Sequence, residues 1–136
     1  MTGTSFRTGT TVAAGLAALA AATALAAPAG ATGTRVGVDP GISFGSATNY
    51  GTGCGYDIDG YVDDPSAPVV FYDNTVPFAF AYPSGGLAQA HWIPATPGPH
   101  RLQIVQHSRP GDDVFPYVDV TVGVGLLTGS GCAVTN

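Results

Sequence analysis

The sharpest chemical signal in the chain is GISFG at residues 41–45. It is a G-x-S-x-G pattern that would make Ser43 a nucleophile if it sat on the sharp turn between a central strand and a helix. Aspartates and histidines follow it in the order Ser…Asp…His. The structural context is missing, however. Ser43 comes just after the turn Asp39-Pro40-Gly41, and the following SATNYGTG has no helical pattern. The reading is therefore a first-strand segment in which Ile42 and Phe44 pack on one side. No catalytic residue is assigned and no enzyme is expected. A small secreted hydrolase stays only as a second alternative.

Two further sets of residues could hold a cation. DIDGYVDD offers Asp57, Asp59, Asp63 and Asp64, the hard oxygen ligands that calcium takes. With Gly60 at the sixth position of a calcium loop, the first ligand position falls on Gly55 and the twelfth on Ser66, so the loop fails. A solvated strand face running into a turn accounts for these aspartates. The histidines are His91, His100 and His107. Zinc needs three or four convergent ligands. His91 alternates in face with Trp92, and His100 and His107 fall at opposite ends and parities of one strand, so no metal site and no cofactor is expected. His100 shares the face of Leu102 and Ile104. It reads, with those two and Trp92, as structural core, His100 being a hydrogen-bonding residue at the rim. The surface candidates are aromatic: Phe78, Phe80 and Tyr82 in VPFAFAYP, with Phe115 and Tyr117 after RPGDDV. If exposed together, they would mark a partner site.

Strands must position these residues. Twenty glycines and eleven prolines punctuate the chain, and beyond residue 31 no stretch has apolar residues at helical spacing. Short alternating or β-rich runs fall at residues 34–38, 54–62, 69–73, 76–83, 87–93, 100–107 and 117–125. In the second, Cys54, Tyr56, Ile58, Gly60 and Val62 take one face, and in the last Val118, Val120, Val122 and Val124 do. Prolines place 76–83 near an edge. Seven or eight strands with a turn about every ten residues predict an antiparallel β-sandwich, with a small closed barrel as runner-up.

Residues 1–31 read as a secretory signal peptide: a short start with Arg7, an apolar run at 11–27, then Pro28 and the small-x-small site Ala29-Gly30-Ala31. Cleavage after Ala31 or Ala29 would leave one domain, residues 32–136, with no membrane span. That domain has nine aspartates against three arginines and neither lysine nor glutamate. Such a balance excludes phosphate-neutralising contact with nucleic acid and attraction to an anionic membrane. In an exported chain, Cys54 and Cys132 are expected to form a disulfide.

PVVFYDN followed by GGLAQAHWIPATPGPHRLQIVQ resembles the bacterial immunoglobulin-like domains of secreted actinobacterial proteins. Val70-Phe71 with Asp73, Trp92 with Pro94, and the run Gly98, His100, Leu102, Ile104 carry the likeness, over residues 53–125. The resemblance implies an immunoglobulin-like sandwich of about seven strands and brings no catalytic residues. The functional expectation is a secreted, non-enzymatic module that binds an unidentified extracellular protein or surface ligand. The first alternative is a small-ligand carrier with a cleft in the sandwich. Adding millimolar calcium or a chelator should leave the melting temperature unchanged; a saturable rise with calcium would overturn this account of DIDGYVDD.

Overall fold

The computed structural model describes residues 33–106 and 115–136. The expected signal peptide, His107 and Arg109 lie outside the described residues. Among those described there are ten strands and no helix. The first seven are β1 (Gly33–Asp39), β2 (Ser43–Gly45), β3 (Tyr50–Gly51), β4 (Tyr56–Val62), β5 (Val69–Asp73), β6 (Val76–Ala81) and β7 (Leu87–Trp92). The last three are β8 (Gly98–Gln106), β9 (Tyr117–Thr128) and β10 (Gly131–Thr135).

They form two sheets. The smaller runs β1-β4-β7; the larger runs β2-β10-β9-β8-β5-β6, with β3 beside β9. This is an immunoglobulin-like sandwich. The hairpin β5–β6 and the strands β8 and β9 make one sheet, while β1, β4 and β7 make the other, so that the chain crosses repeatedly between the layers. β6 is indeed an edge. Two pairings are parallel, β2 with β10 and β3 with β9, and the expectation of a purely antiparallel sandwich is corrected there. After β1 the chain doubles back to lie along its own C-terminal strand. Segments of two or three residues carry no periodicity, which is why β2 and β3 leave no trace in the pattern; β10, five residues long, is not anticipated either.

The core sits between β4 and β7 on one side and β5 and β8 on the other. Ile58, Phe71, Leu102 and Ile104 are fully buried there. Burial of each contributes about 1.5–3 kcal/mol. The alternation expected in β4 holds: Tyr56, Ile58, Gly60 and Val62 face inward. Gly60 is glycine because Phe71 and Ile104 of the opposite sheet close on its Cα; an added Cβ would lie 3.3–3.4 Å from their side chains.

In β9 the alternation holds only as far as Val122. Val122 and Gly123 are both buried, and Val124 is exposed, contrary to expectation. The inward face changes where β8, which begins opposite Val122, gives way to β3 as a neighbour of β9. Beyond it the segment carrying Cys54 packs on the other side of the strand. A Cβ at Gly125 would stand 2.8 Å from Cys54 Sγ and 2.3 Å from the Thr52 carbonyl. Ile42 and Phe44, expected to pack inward, are exposed for the same reason: the interior side of β2 and β10 is the one that carries Cys132.

Cys54 and Cys132 are joined by a disulfide across 78 residues of sequence. It links the entry to β4, in the smaller sheet, to β10 in the larger. Tyr56 lies beside it. The Tyr56 hydroxyl accepts from Gly51 N at 2.7 Å and stands 3.1 Å from Ser43 Oγ, fastening the irregular 43–51 segment. Burial pushes the phenol of neighbouring Tyr50 up from its ordinary range, and Tyr56 and Asp39 add to the shift.

Two predictions follow from this scaffold. Closing so long a loop stabilises the chain by about 4–5 kcal/mol on the entropy account. Reduction should therefore lower the melting temperature by at least about 15 °C, read by differential scanning calorimetry; an unchanged transition would show the crosslink to be idle. The β5–β6 turn places Asn74 at φ 47° and Thr75 at φ 73°. A β-branched residue is strained in that conformation. Thr75→Gly should raise stability by up to about 1 kcal/mol, and a loss of stability on chemical denaturation would refute the strain.

Candidate functional site

The larger sheet is wider than the smaller one, and β6 overhangs it. Below the overhang is a cleft of about 470 Å³, lined by Val76 and Phe78 of β6, Asp73 and Asn74 at the turn before it, His91 and Trp92 of β7, Ile93, Ala95 and Thr96 in the following loop, and His100 of β8. Its size falls within the range of small-molecule sites.

Phe78 reaches the cleft through a β-bulge. In the β5–β6 pairing Phe71 faces Ala79 and Tyr72 faces Pro77, leaving Phe78 as the extra residue. Such an insertion re-aims a side chain. The Phe78 ring packs against buried Phe71, with ring centroids 6.3 Å apart.

The floor is polar and closed. The Asp73 carboxylate accepts from Trp92 Nε1 at 2.9 Å, and His100 Nδ1 stands 2.7 Å from its Oδ1. His100 Nε2 faces the backbone carbonyl oxygen of Thr96 at 2.8 Å. Both ring nitrogens thus face oxygen atoms. The Thr96 hydroxyl is 3.4 Å from Nε2, so acid, imidazole and hydroxyl stand in the order of a catalytic triad. A general base needs a lone pair aimed at the hydroxyl. Here Nε2 is aimed at a carbonyl instead, so Asp73 and His100 act as a clamp between strands. Asn74 is also spoken for: its Nδ2 donates to the Pro99 carbonyl, and its Oδ1 accepts from Arg101 N.

Trp92 is buried and His91, its neighbour, is exposed, held 3.1 Å from Asp57. The sequence separates the histidines, yet His91 and His100 border one cleft from either side of Trp92, each committed to its own aspartate. Among the described residues no group of three or more histidine, cysteine, aspartate or glutamate side chains converges as a metal site would need. Asp59 accepts from Gln89 Nε2 at 2.8 Å, and Asp64 Oδ1 accepts from Ser66 N and Oγ. Ser43 lies elsewhere, in a smaller depression of about 160 Å³ beside the disulfide. Its hydroxyl meets the Tyr56 phenol and the Cys132 carbonyl, and no base.

The aromatic candidates do not form one patch. Phe78 belongs to the cleft. Phe80, opposite Val70, is on the reverse face of β6. Tyr117 shares that outer face from β9, three strand spacings or about 14 Å away. Its ring is already covered by the Arg101 guanidinium, 4.0 Å above it. Arg101 is fixed by two hydrogen bonds to Asp119, whose carboxyl they hold below the usual range. Tyr82 and Phe115 are exposed beyond the ends of their strands. The residues that sequence reasoning missed are Asp73, Asn74, Val76, Ile93 and Thr96. One signal was present: a histidine on the apolar face of β8 requires a buried acceptor, and Asp73 shares the inward face of Phe71.

No family model matches the chain, and no curated protein does. Two solved structures align with part of it. One is the solution structure of a CARDB domain from Pyrococcus furiosus, at 17% identity and a TM-score of 0.43, covering 65% of this chain and 92% of that one. The other is a crystal structure of the same domain described as in complex with di-metal ions, at 16% identity and a TM-score of 0.44, covering 66% and 92%. The ions belong to that protein, and the fold assigned here stands on strand order and register.

If Asp73 is the clamp, Asp73→Asn should cost about 2–4 kcal/mol in urea denaturation, because it strips a buried imidazole of its carboxylate. His91→Ala, at an exposed pair, should change stability by less than about 0.5 kcal/mol. Equal effects would remove the distinction.

Proposed function

We propose that this protein is an extracellular, non-catalytic binding module that takes an uncharged, largely apolar small molecule into the cleft beneath β6. The observation that carries the reading is the division of labour within that cleft. Val76, Phe78, Ile93 and Ala95 give it apolar walls, while its polar floor of Asp73, Asn74, Trp92 and His100 is already bonded internally. A ligand gains by burying apolar surface there, and the polar groups of the floor are already paired with one another. The disulfide and the leader-like N-terminal sequence support export.

A second reading, recognition of an extracellular protein, draws support from the exposure of Phe80, Tyr82 and Tyr117. Their dispersal and the Arg101 cover on Tyr117 weaken it. Hydrolysis finds little support, since Ser43 and the two histidines occupy different depressions.

The test uses N-phenyl-1-naphthylamine, an uncharged hydrophobic fluorophore. Saturable binding that perturbs the fluorescence of Trp92, the sole tryptophan, is expected. Phe78→Asp should weaken it at least tenfold, and Ser43→Ala should leave it unchanged. Absence of saturable binding, or binding indifferent to Phe78→Asp, would overturn the cleft. Turnover of an ester or glycoside panel that is lost in Ser43→Ala would overturn the non-catalytic reading.

A further inference from the structure

On the outer face of the larger sheet, across β5 and β8 from the core, is a shallow hollow of about 160 Å³. Among the described residues it is lined by Tyr72 of β5, Thr75 of the turn that follows, and Gln103 and Val105 of β8. Tyr72 is paired with Gln103, and Gln103 with Tyr117 of β9, so the three side chains stand in one row. Their chain neighbours Phe71, Leu102 and Ile104 are fully buried, which makes this row the outward one. Tyr72 and Tyr117 are two strand spacings apart, about 10 Å.

Two observations set the hollow apart from the cleft beneath β6. Its polar groups are uncommitted: among the described residues no hydrogen bond engages the Tyr72 phenol, the Thr75 hydroxyl or the Gln103 amide. Thr75 is also held at φ 73°, in a two-residue hairpin turn where glycine would meet no strain. The strain falls on the turn residue whose side chain lines the hollow.

We propose that this hollow binds a neutral glycan, with one sugar ring against Tyr72 and the chain running across the strands toward Tyr117. A pyranose has a face of C–H groups and a rim of hydroxyls. The face suits an aromatic ring. The rim suits an amide and two hydroxyls, which between them both donate and accept. A purely apolar molecule would displace water from these groups and return no hydrogen bond, which loses affinity. An extended peptide is read through free main-chain groups at a sheet edge. β5 and β8 each have a strand on both sides, so the hollow is not at an edge. The row is longer than one sugar ring, so an oligosaccharide covers more of it than a monosaccharide. At its far end Arg101 occupies one face of the Tyr117 ring, and Tyr117 is still 54% exposed. An open sheet face suits an extended, ribbon-like chain such as that of cellulose better than the coil of starch.

Affinity electrophoresis of the disulfide-bonded protein through gels containing hydroxyethylcellulose or glucomannan tests the proposal. Retardation is expected in at least one of them, with cellohexaose competing at lower concentration than glucose. Tyr72→Ala should weaken it at least about tenfold, and Gln103→Ala about fivefold. Should Tyr72→Ala lose its melting transition, Gln103→Ala, at a half-buried position, decides. Thr75→Gly should weaken retardation while its melting temperature holds or rises, an opposition that a purely structural residue would not show. Fluorophore binding in the cleft should be unchanged in all three variants, and Phe78→Asp should leave retardation unchanged, so either site can fail without the other. No retardation by either glycan would overturn the proposal, as would retardation indifferent to both Tyr72→Ala and Gln103→Ala, or retardation lost in Phe78→Asp. Glucose competing as well as cellohexaose would overturn the chain in favour of a single sugar. Retardation by gelatin and by neither glycan would reassign the hollow to polypeptide.

Discussion

One carboxylate organises the centre of this molecule. Asp73, at the end of β5, takes the indole N–H of Trp92 from the smaller sheet and the imidazole of His100 from the larger. Three strands from both layers therefore meet on a single pair of oxygens. Trp92 held this way packs against Tyr56 and Tyr50, and Tyr56 in turn anchors the segment beside the disulfide. His100 held this way fixes the loop carrying Thr96, one wall of the cleft. The polar contact sets where the aromatic core sits, and the core sets where the loops go.

Unequal sheets explain most of the surface. Three strands cannot cover seven, so the larger layer extends past the smaller one. At the β6 end the overhang roofs a concave space, and a bulge turns Phe78 into it. At the β2–β10 end the inner side is closed by the disulfide and the tyrosines, leaving an apolar outer side. The same architectural imbalance thus gives a hollow at one end and an exposed apolar side at the other.

Much of the fold was legible because side-chain alternation survives wherever a strand has one buried face. In β4, Tyr56, Ile58 and Val62 announced both strand and face, and Pro77 and Pro83 marked β6 as an edge. The two cysteines, in a chain with an export-like leader, announced their bond. Val124 was misread because the interior changes sides of β9 where β8 gives way to β3, and parity cannot register a change of partner. Phe44 was misread because three residues beside a parallel neighbour look like any loop. The cleft was less legible still. It depends on one extra residue in β6 and on the register that brings Asp73 opposite Leu102, and neither is a property of any single segment. His100 on an apolar face hinted at a buried acceptor without saying which aspartate supplied it.

The position of the disulfide also governs how the domain carries tension. Cys132 is four residues from the C-terminal Asn136, and Cys54 precedes β4. A pull applied between Gly33 and Asn136 passes from Cys132 directly to Cys54, leaving the 78-residue span between them slack. With the bond intact, only about twenty-five residues can pay out, roughly 90 Å of contour length; with it reduced, the whole domain can, about 360 Å. β4 through β9, and with them the cleft and its Asp73 clamp, lie inside the shielded span. Force would peel β1, β2 and β3 away while the hollow beneath β6 kept its shape.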